Sequence, residues 1–519
     1  MGGLADVNTT DLKGAIELGC RTMGSVFDAD DEAVPFFASR VWPEAYLGFS
    51  WAHSEAHVPG RHLNALLSAE DAAGIELDED VVAKHARAAF LSYGGPVALP
   101  LNRQVKGGPL VNVLIHNVRE GFHALYALVA YRGSARARGL AEASIAEIGR
   151  AWRPDLGWDR KRYEDQGLAF WDNGFITGIA RAIGPLVKYY RATGYAPALE
   201  LALQLAEHAV EGYFPADGAY LADRQGTHAH STTCVLSSLA QLADLTGDGA
   251  LLERVRAFYD NGLWAVRDRL GWSIESTAPD KNGDRGEVNN SGDILETALI
   301  LGRRSGSRYY HDAERMLRGH ILPAQLRDVS FIAEPPNPTG EDGRRNVAER
   351  HRGAFGFPAP YGHRPIGAES FGFNMDIVGG TVGSLCEAYR EVTRFDKAGH
   401  WVNLLFDHET THVEVESPYT HPTLRVRVKR RAPLCVRLPP WVDERRLSIE
   451  GVSGSRLANG YLFVAEPPVN RWVTISFPLV AAEIVLEHRD RQIVARLRGD
   501  EVVAMENFGA DVTFFEPLP

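Results

Sequence analysis

The sequence predicts a mainly α protein: an (α/α)6 barrel, six helical hairpins closed into a toroid, followed by a C-terminal β-sandwich. Three observations predict it. A helical phrase ending in glycine recurs along most of the chain, partner helices of a different surface grade alternate with it, and near His400 the apolar period drops to two.

The repeated phrase is clearest at Tyr189-Tyr190-Arg191-Ala192-Thr193-Gly194 and at Leu242-Ala243-Asp244-Leu245-Thr246-Gly247-Asp248. Similar endings stand at Ala72-Ala73-Gly74, Ala130-Tyr131-Arg132-Gly133 and Arg304-Ser305-Gly306. Glycine there can take the left-handed conformation that closes a helix. The stops recur every roughly 55–60 residues, the length of two helices with their loops. A sixth unit ends near Thr393, after a long insertion.

The partner helices are expected at Glu79–Ser92, Gly139–Trp152, Ala196–Gly212, Leu251–Val266 and Tyr309–Leu322, from their apolar spacing. In Pro197–His208 the acidic and amide positions share one face, as on an outer helix. The glycine-stopped phrases, such as Gly178–Val187, are smaller and more uniformly apolar, which suits helices buried on both sides. An open solenoid is the alternative to a closed ring. Closure is favoured because the chain then changes character: Leu424–Lys429 and Trp472–Phe477 alternate with period two. The expected division is a barrel over 1–395 and a β-sandwich over 396–519. The Pro-, Gly-, Arg- and His-rich insertion at about 323–370 is too long for an idle loop and is expected to cap one mouth.

Composition narrows the partners. A formal net charge of −12 excludes a basic field over the whole molecule, so neither nucleic acid nor anionic membrane is the expected partner. No stretch reaches the roughly 18 apolar residues of a membrane span. The four cysteines, Cys20, Cys234, Cys386 and Cys435, lie far apart and read as reduced, buried thiols. With no basic-then-apolar leader at Met1–Asp6, the expectation is a cytoplasmic protein. Self-association into a homo-oligomer is left open.

In such a ring the inner helices point the same way, and residues at their starts converge on one opening. Those starts carry Trp51, His53, Glu55 and His57; His116, Asn117 and Glu120; Trp171, Asp172 and Asn173; His228 and His230; Glu287, Asn289, Asn290, Asp293 and Glu296; and Glu369 and Asn374. For Asp172, Asn290 and Asn374 the ordinary N-cap is the competing reading. His and Trp are not preferred caps, yet they recur at the same places, so a pocket for an oligosaccharide or glycoside is expected. It draws on Trp51, His57, His116, Asp172, Asn173, His230, Asn290, Glu369 and Asn374. The fifth start is the densest in carboxylates. Glu287, on the loop before the helix, is the expected proton donor; Glu296, with Asp293 one helical turn before it, is expected to position or activate the attacking group. Two carboxylates flanking a sugar are the usual glycosidase machinery.

These phrases, in this order, resemble glycoside hydrolase family 127, the β-L-arabinofuranosidase-like enzymes. The resemblance covers roughly Phe170 to Trp441 and rests on Tyr189–Gly194, His230, Gly286-Glu287, Glu296-Thr297, Tyr309–Leu317 and Val436–Trp441. It implies an (α/α)6 barrel with a following β-sandwich, with Glu287 as acid/base, Glu296 as a zinc-ligating glutamate and His230 as a sugar-binding histidine. The chain departs from the family where the family carries cysteines: Ala298 stands two residues after Glu296, and Phe373 and Asn374 stand before the last inner helix. Neither a Cys3Glu zinc site nor a thiolate nucleophile carries over, and no metal and no cofactor is expected. The leading reading is a glycoside hydrolase acting on a non-reducing-end sugar with paired carboxylates. The alternatives are a lyase on a uronate-containing glycan, a sugar-binding pseudoenzyme, and an isomerase or epimerase on a similar toroid. Unmatched Arg or Lys at the pocket, with Arg103, Lys106, Arg119 and Arg285 as candidates, would favour the lyase.

Overall fold

A computed structural model describes residues 2–518. Twelve helices of nine residues or more form its first part. They are α1 (Leu12–Gly24), α2 (His57–Ala73), α3 (Glu79–Ser92), α4 (Val118–Arg132), α5 (Ala135–Ala151) and α6 (Ile183–Thr193), followed by α7 (Ala196–Tyr213), α8 (Ala229–Thr246), α9 (Gly249–Asp260), α10 (Val288–Arg304), α11 (Arg308–Met316) and α12 (Met375–Val392). The even-numbered helices touch in cyclic order, α2 on α4, then α6, α8, α10 and α12, and α12 returns to pack on α2. The helical part is therefore a closed toroid of inner helices, with the odd-numbered helices packed outside.

Glycines end the inner helices as their C-cap role requires. Gly74, Gly133, Gly194 and Gly247 all sit at φ between 62° and 70° and close α2, α4, α6 and α8. The fifth phrase differs: Ser305 caps α10, and Gly306 lies one residue beyond it. The helix expected over Tyr309–Leu322 is also interrupted, passing at Leu317 from α11 into a π-turn that ends at Ile321.

Close approach of the inner helices depends on glycine too. A Cβ on Gly60 would sit 1.9 Å from the backbone oxygen of Glu120, and one on Gly379 would sit 2.7 Å from the His62 ring. Glycine thus lets α2 lie against α4 on one side and α12 on the other. Gly60→Ala is expected to destabilise the fold by about 1–3 kcal/mol, the usual cost of overpacking, because the obstacle is backbone. An unchanged denaturation midpoint would contradict this.

The β region divides in two. Strands Thr393–Asp396, Gly399–Val402, Leu434–Arg437, Arg456–Ala458 and Tyr461–Val464 form one five-stranded sheet; His408–Glu409, Val413–Glu416, Leu424–Val428, Ser448–Glu450 and Trp472–Ser476 form another. Their inward residues, Val402, Val415, Val426, Leu434, Leu462 and Ile475 among them, share one core. Outward, the register sets Glu414 opposite Arg427 and Glu416 opposite Arg425, so charges pair across strands. The last sheet, Ala481–Glu487, Gln492–Arg498, Glu501–Met505 and Glu516–Pro517, does not belong to that sandwich. Its Leu486, Ile493, Leu497 and Val502 pack into the core of the helical part. The single sandwich expected over 396–519 is corrected accordingly: period-two alternation identifies a half-buried strand, not the partner that buries it.

Several histidines are sealed in this core. Burial, which penalises the imidazolium, pulls His62, His320, His351 and His408 from 6.5 to about 4, and His363 to about 3. The unfolded chain takes up these protons first as pH falls below 6.5. Stability from keeping them neutral is therefore complete above 6.5 and is lost towards about 4. Urea midpoints are expected to be lower at about pH 5 than at about pH 7.5; equal midpoints would refute this.

Candidate functional site

None of the six inner helices uses an N-cap side chain to close its first turn: Ala56, Asn117, Ala182, His228, Glu287 and Asn374 make no such bond. Of the outer helices, four are capped in the ordinary way, by Asp11, Asp78, Ser134 and Asp248. The inner starts instead surround a cavity of about 370 Å³. His53, His57, His116, Asn173, His230 and Glu287 line it, joined by Asn374 and Asp376 from the start of α12. A separate opening, lined by Arg191, Asp244, Arg303 and Glu391, lies at the C-terminal ends of the inner helices.

Small sheets and the insertion aim these side chains. Strand Leu110–Leu114 runs directly into His116, and its parallel partner Ala169–Trp171 runs into Asn173. The insertion braces the loop that carries Glu287: Gly286 N–H donates to Pro358 O at 2.9 Å, and Val288 N–H to Gly356 O at 3.2 Å. It also contributes Phe357 to the cavity wall.

Glu287 is buried, with His228 Nε2 at 3.6 Å from one oxygen and His230 Nδ1 at 3.8 Å from the other. Asn289 Nδ2 donates to it at 3.1 Å. Burial pushes its pKa up, but nearby His228 and then Arg61 outweigh it, and the net direction is down. Asp376 lies within reach of His57 Nε2 at 3.2 Å and Arg61 Nη1 at 3.4 Å. Burial opposes its ionisation, yet Arg61 and then His57 hold it down to about 2. Below the cavity floor Asp293 stands 3.4 Å from His230 Nε2. Burial raises Asp293 to about 7 against the pull of Arg119. The Glu120 carboxylate anchors the wall, gathering Arg61, Arg119 and Arg181 at 3.0–3.2 Å; burial opposes its ionisation, but Arg181 leads the charges that lower it well below its ordinary value.

Other expected site residues fall elsewhere. Glu296 does not reach this cavity: its oxygens accept from Ser237, Ser384 and Gln241 between the inner helices, which ties α8, α10 and α12 together. Asn290 donates to Ile274 O at 2.8 Å and is a loop anchor. Asp172 accepts from Gly174 N–H and organises its own turn, while Glu369 is exposed away from the cavity. Trp51 is outside the lining and meets Trp171, centroids 5.7 Å apart, both rings well exposed. Conversely, Asp376, Arg61, Arg181 and Phe37 line the cavity without having been expected there. Asp376 sits two residues past the N-cap Asn374, a position the start-of-helix reading stopped short of.

The positive charge that would favour a lyase is matched throughout. Arg103 pairs with Asp31 and Glu55, Lys106 with Asp28, Arg119 with Glu120, and Arg285 with Glu275. The thiolate zinc site of family 127 does not fit either, because Glu296 is taken up by hydroxyl and amide groups and position 298 is Ala.

No family model and no curated protein matches the chain. Solved structures do. A GH127 β-L-arabinofuranosidase from Geobacillus stearothermophilus T6 superposes with TM-score 0.57 at 16% identity, over 94% of this chain and 80% of that one. A second GH127 β-arabinofuranosidase gives TM-score 0.59 at 15% identity, over 94% and 79%. A sugar epimerase from a ruminal bacterium gives 0.51 at 10% identity, over 73% of this chain and 99% of that one. At these identities the likeness establishes a shared fold. Among the described residues no helix is long and apolar enough to cross a membrane.

Proposed function

We propose that this protein is a glycoside hydrolase, an (α/α)6 barrel with appended β domains, acting on a terminal sugar held in the cavity at the inner-helix starts. The observation that carries this reading is the pair of buried carboxylates lining that cavity, Glu287 from the loop before α10 and Asp376 from the first turn of α12. Glu287, on the cavity wall beside His228, is assigned the delivery of the proton that a leaving glycosidic oxygen needs. Asp376, held ionised by Arg61 and His57, is the group to activate water or attack the sugar. This pairing replaces Glu296 and Asp293 in the second role. Asn173, His230 and Asn374 offer donors and acceptors for sugar hydroxyls, and the exposed Trp51 and Trp171 rings present flat apolar surface. The test is a panel of glycosides, assayed by released sugar beside the absorbance of unsaturated uronates, with Glu287→Gln as the control. Release that survives this substitution would reject Glu287 as the donor; no release from any glycoside, or formation of the unsaturated product, would reject the hydrolase.

A further inference from the structure

His53, His57 and His116 do more on the cavity wall than hydrogen-bonding requires. One ring nitrogen from each lies within 4.8 Å of the other two. The Nε2 atoms of His53 and His116 face each other at 3.2 Å. Two imidazole ligands of a tetrahedral zinc ion, each bound at about 2.0–2.1 Å, stand about 3.4 Å apart. The rings are spaced alike, with centroids 5.1, 5.2 and 5.9 Å apart.

Outer partners hold two of these rings in ligand orientation. His53 Nδ1 meets Ser50 Oγ at 3.0 Å, and His57 Nδ1 meets Asn117 Oδ1 at 2.9 Å. Asn117 spends its amide Nδ2 on Ala52 O at 2.6 Å, so its Oδ1 must accept and His57 Nδ1 must donate. A neutral His57 then presents a bare lone pair at Nε2. That lone pair faces two carboxylates, Asp376 at 3.2 Å and Glu120 at 3.7 Å, an arrangement that needs a cation or a proton between the groups. Such second partners, fixing the tautomer through the far nitrogen, are what imidazole ligands of metals carry. Phe37 stacks on His53 with centroids 4.1 Å apart and fixes that ring's plane.

We propose that His53, His57 and His116 bind a divalent first-row ion of the zinc class on the cavity wall, with Asp376 at its fourth position. Three imidazoles select such an ion over magnesium or calcium, which take oxygen ligands. Three imidazoles with a carboxylate as the fourth donor are a ligand set that such ions accept. It is distinct from the thiolate site whose cysteines this chain lacks. It also differs from the grouping of His228, His230 and Glu287 on the same cavity, which includes the carboxylate assigned to proton donation.

The test is titration of the chelator-treated full-length protein with cobalt(II) and zinc(II), whatever its activity. One equivalent of cobalt per chain should bind with the visible absorption of a four-coordinate site, and zinc should displace it. His116→Ala and His53→Ala should lose that absorption while keeping the native circular dichroism, and His228→Ala should keep it. X-ray absorption of the cobalt-loaded wild type, which depends on no variant folding, should count three imidazoles. Absence of saturable cobalt binding, fewer than three imidazoles, or binding lost in His228→Ala and kept in His116→Ala would overturn the proposal.

Discussion

Glu287→Gln is expected to lower turnover roughly 10²–10⁴-fold on a glycoside with an unactivated leaving group, the range a positioned proton donor supplies. The substitution keeps the size of a side chain buried in the cavity wall, and the Glu287 backbone N–H still donates to Ser273 O at 3.1 Å. Ligand binding and melting temperature should therefore stay near those of the unsubstituted protein. A nitrophenyl leaving group needs little protonation, so its loss should be smaller than that of an alkyl or sugar leaving group. Equal losses on both would assign Glu287 to sugar binding instead, and near-normal turnover on the natural type of bond would end its candidacy as the donor.

The second large effect concerns stability. Glu314 on α11 is fully buried where the helical part meets the sandwich. It accepts from Arg318 Nε at 3.1 Å, from the Leu405 N–H at 3.1 Å and from Arg437 of the sandwich. Arg318 also donates to Leu405 O at 2.7 Å and lies 3.9 and 3.7 Å from the ring centres of Phe406 and Tyr419. Removing the carboxylate leaves two guanidinium groups buried without their counter-charge, so Glu314→Ala is expected to cost about 3–5 kcal/mol. Chemical denaturation followed by both fluorescence and circular dichroism would measure it. A loss under about 1 kcal/mol, the worth of an exposed pair, would mean that water reaches this joint.

Glu314 and Arg437 lie in phrases that carried the resemblance, Tyr309–Leu317 and Val436–Trp441, yet their meeting could not be read from either phrase. Legibility followed the range of the physics involved. Helix stops are local, so Gly74, Gly133, Gly194 and Gly247 announced the inner helices by themselves. Residues at those stretches' starts, such as His57, His116, His230 and Glu287, were legible because one end of every inner helix faces one space. Depth along a helix was not. Glu296 is nine residues after Glu287, far enough into α10 for its carboxylate to meet Ser237 and Ser384 rather than the cavity. Arg61 stands one turn into α2, past the helix start, and only the positions of Glu120 and Asp376 on neighbouring helices explain it. The last sheet was misassigned for a similar reason, since nothing within residues 481–505 says that α-helices cover its apolar face.

The absence of side-chain caps on the inner helices divides labour between the two layers of the ring. A cap contributes typically about 1 kcal/mol, and a position that supplies one is hard to vary without weakening the fold. Here such positions are concentrated in the outer layer, at Asp11, Asp78, Ser134 and Asp248. The inner starts carry no such duty, so histidine, asparagine, glutamate or alanine can stand there without removing a cap. A lineage built on this plan can exchange the chemistry of its cavity one helix start at a time, while the scaffold that holds the starts together stays as it was.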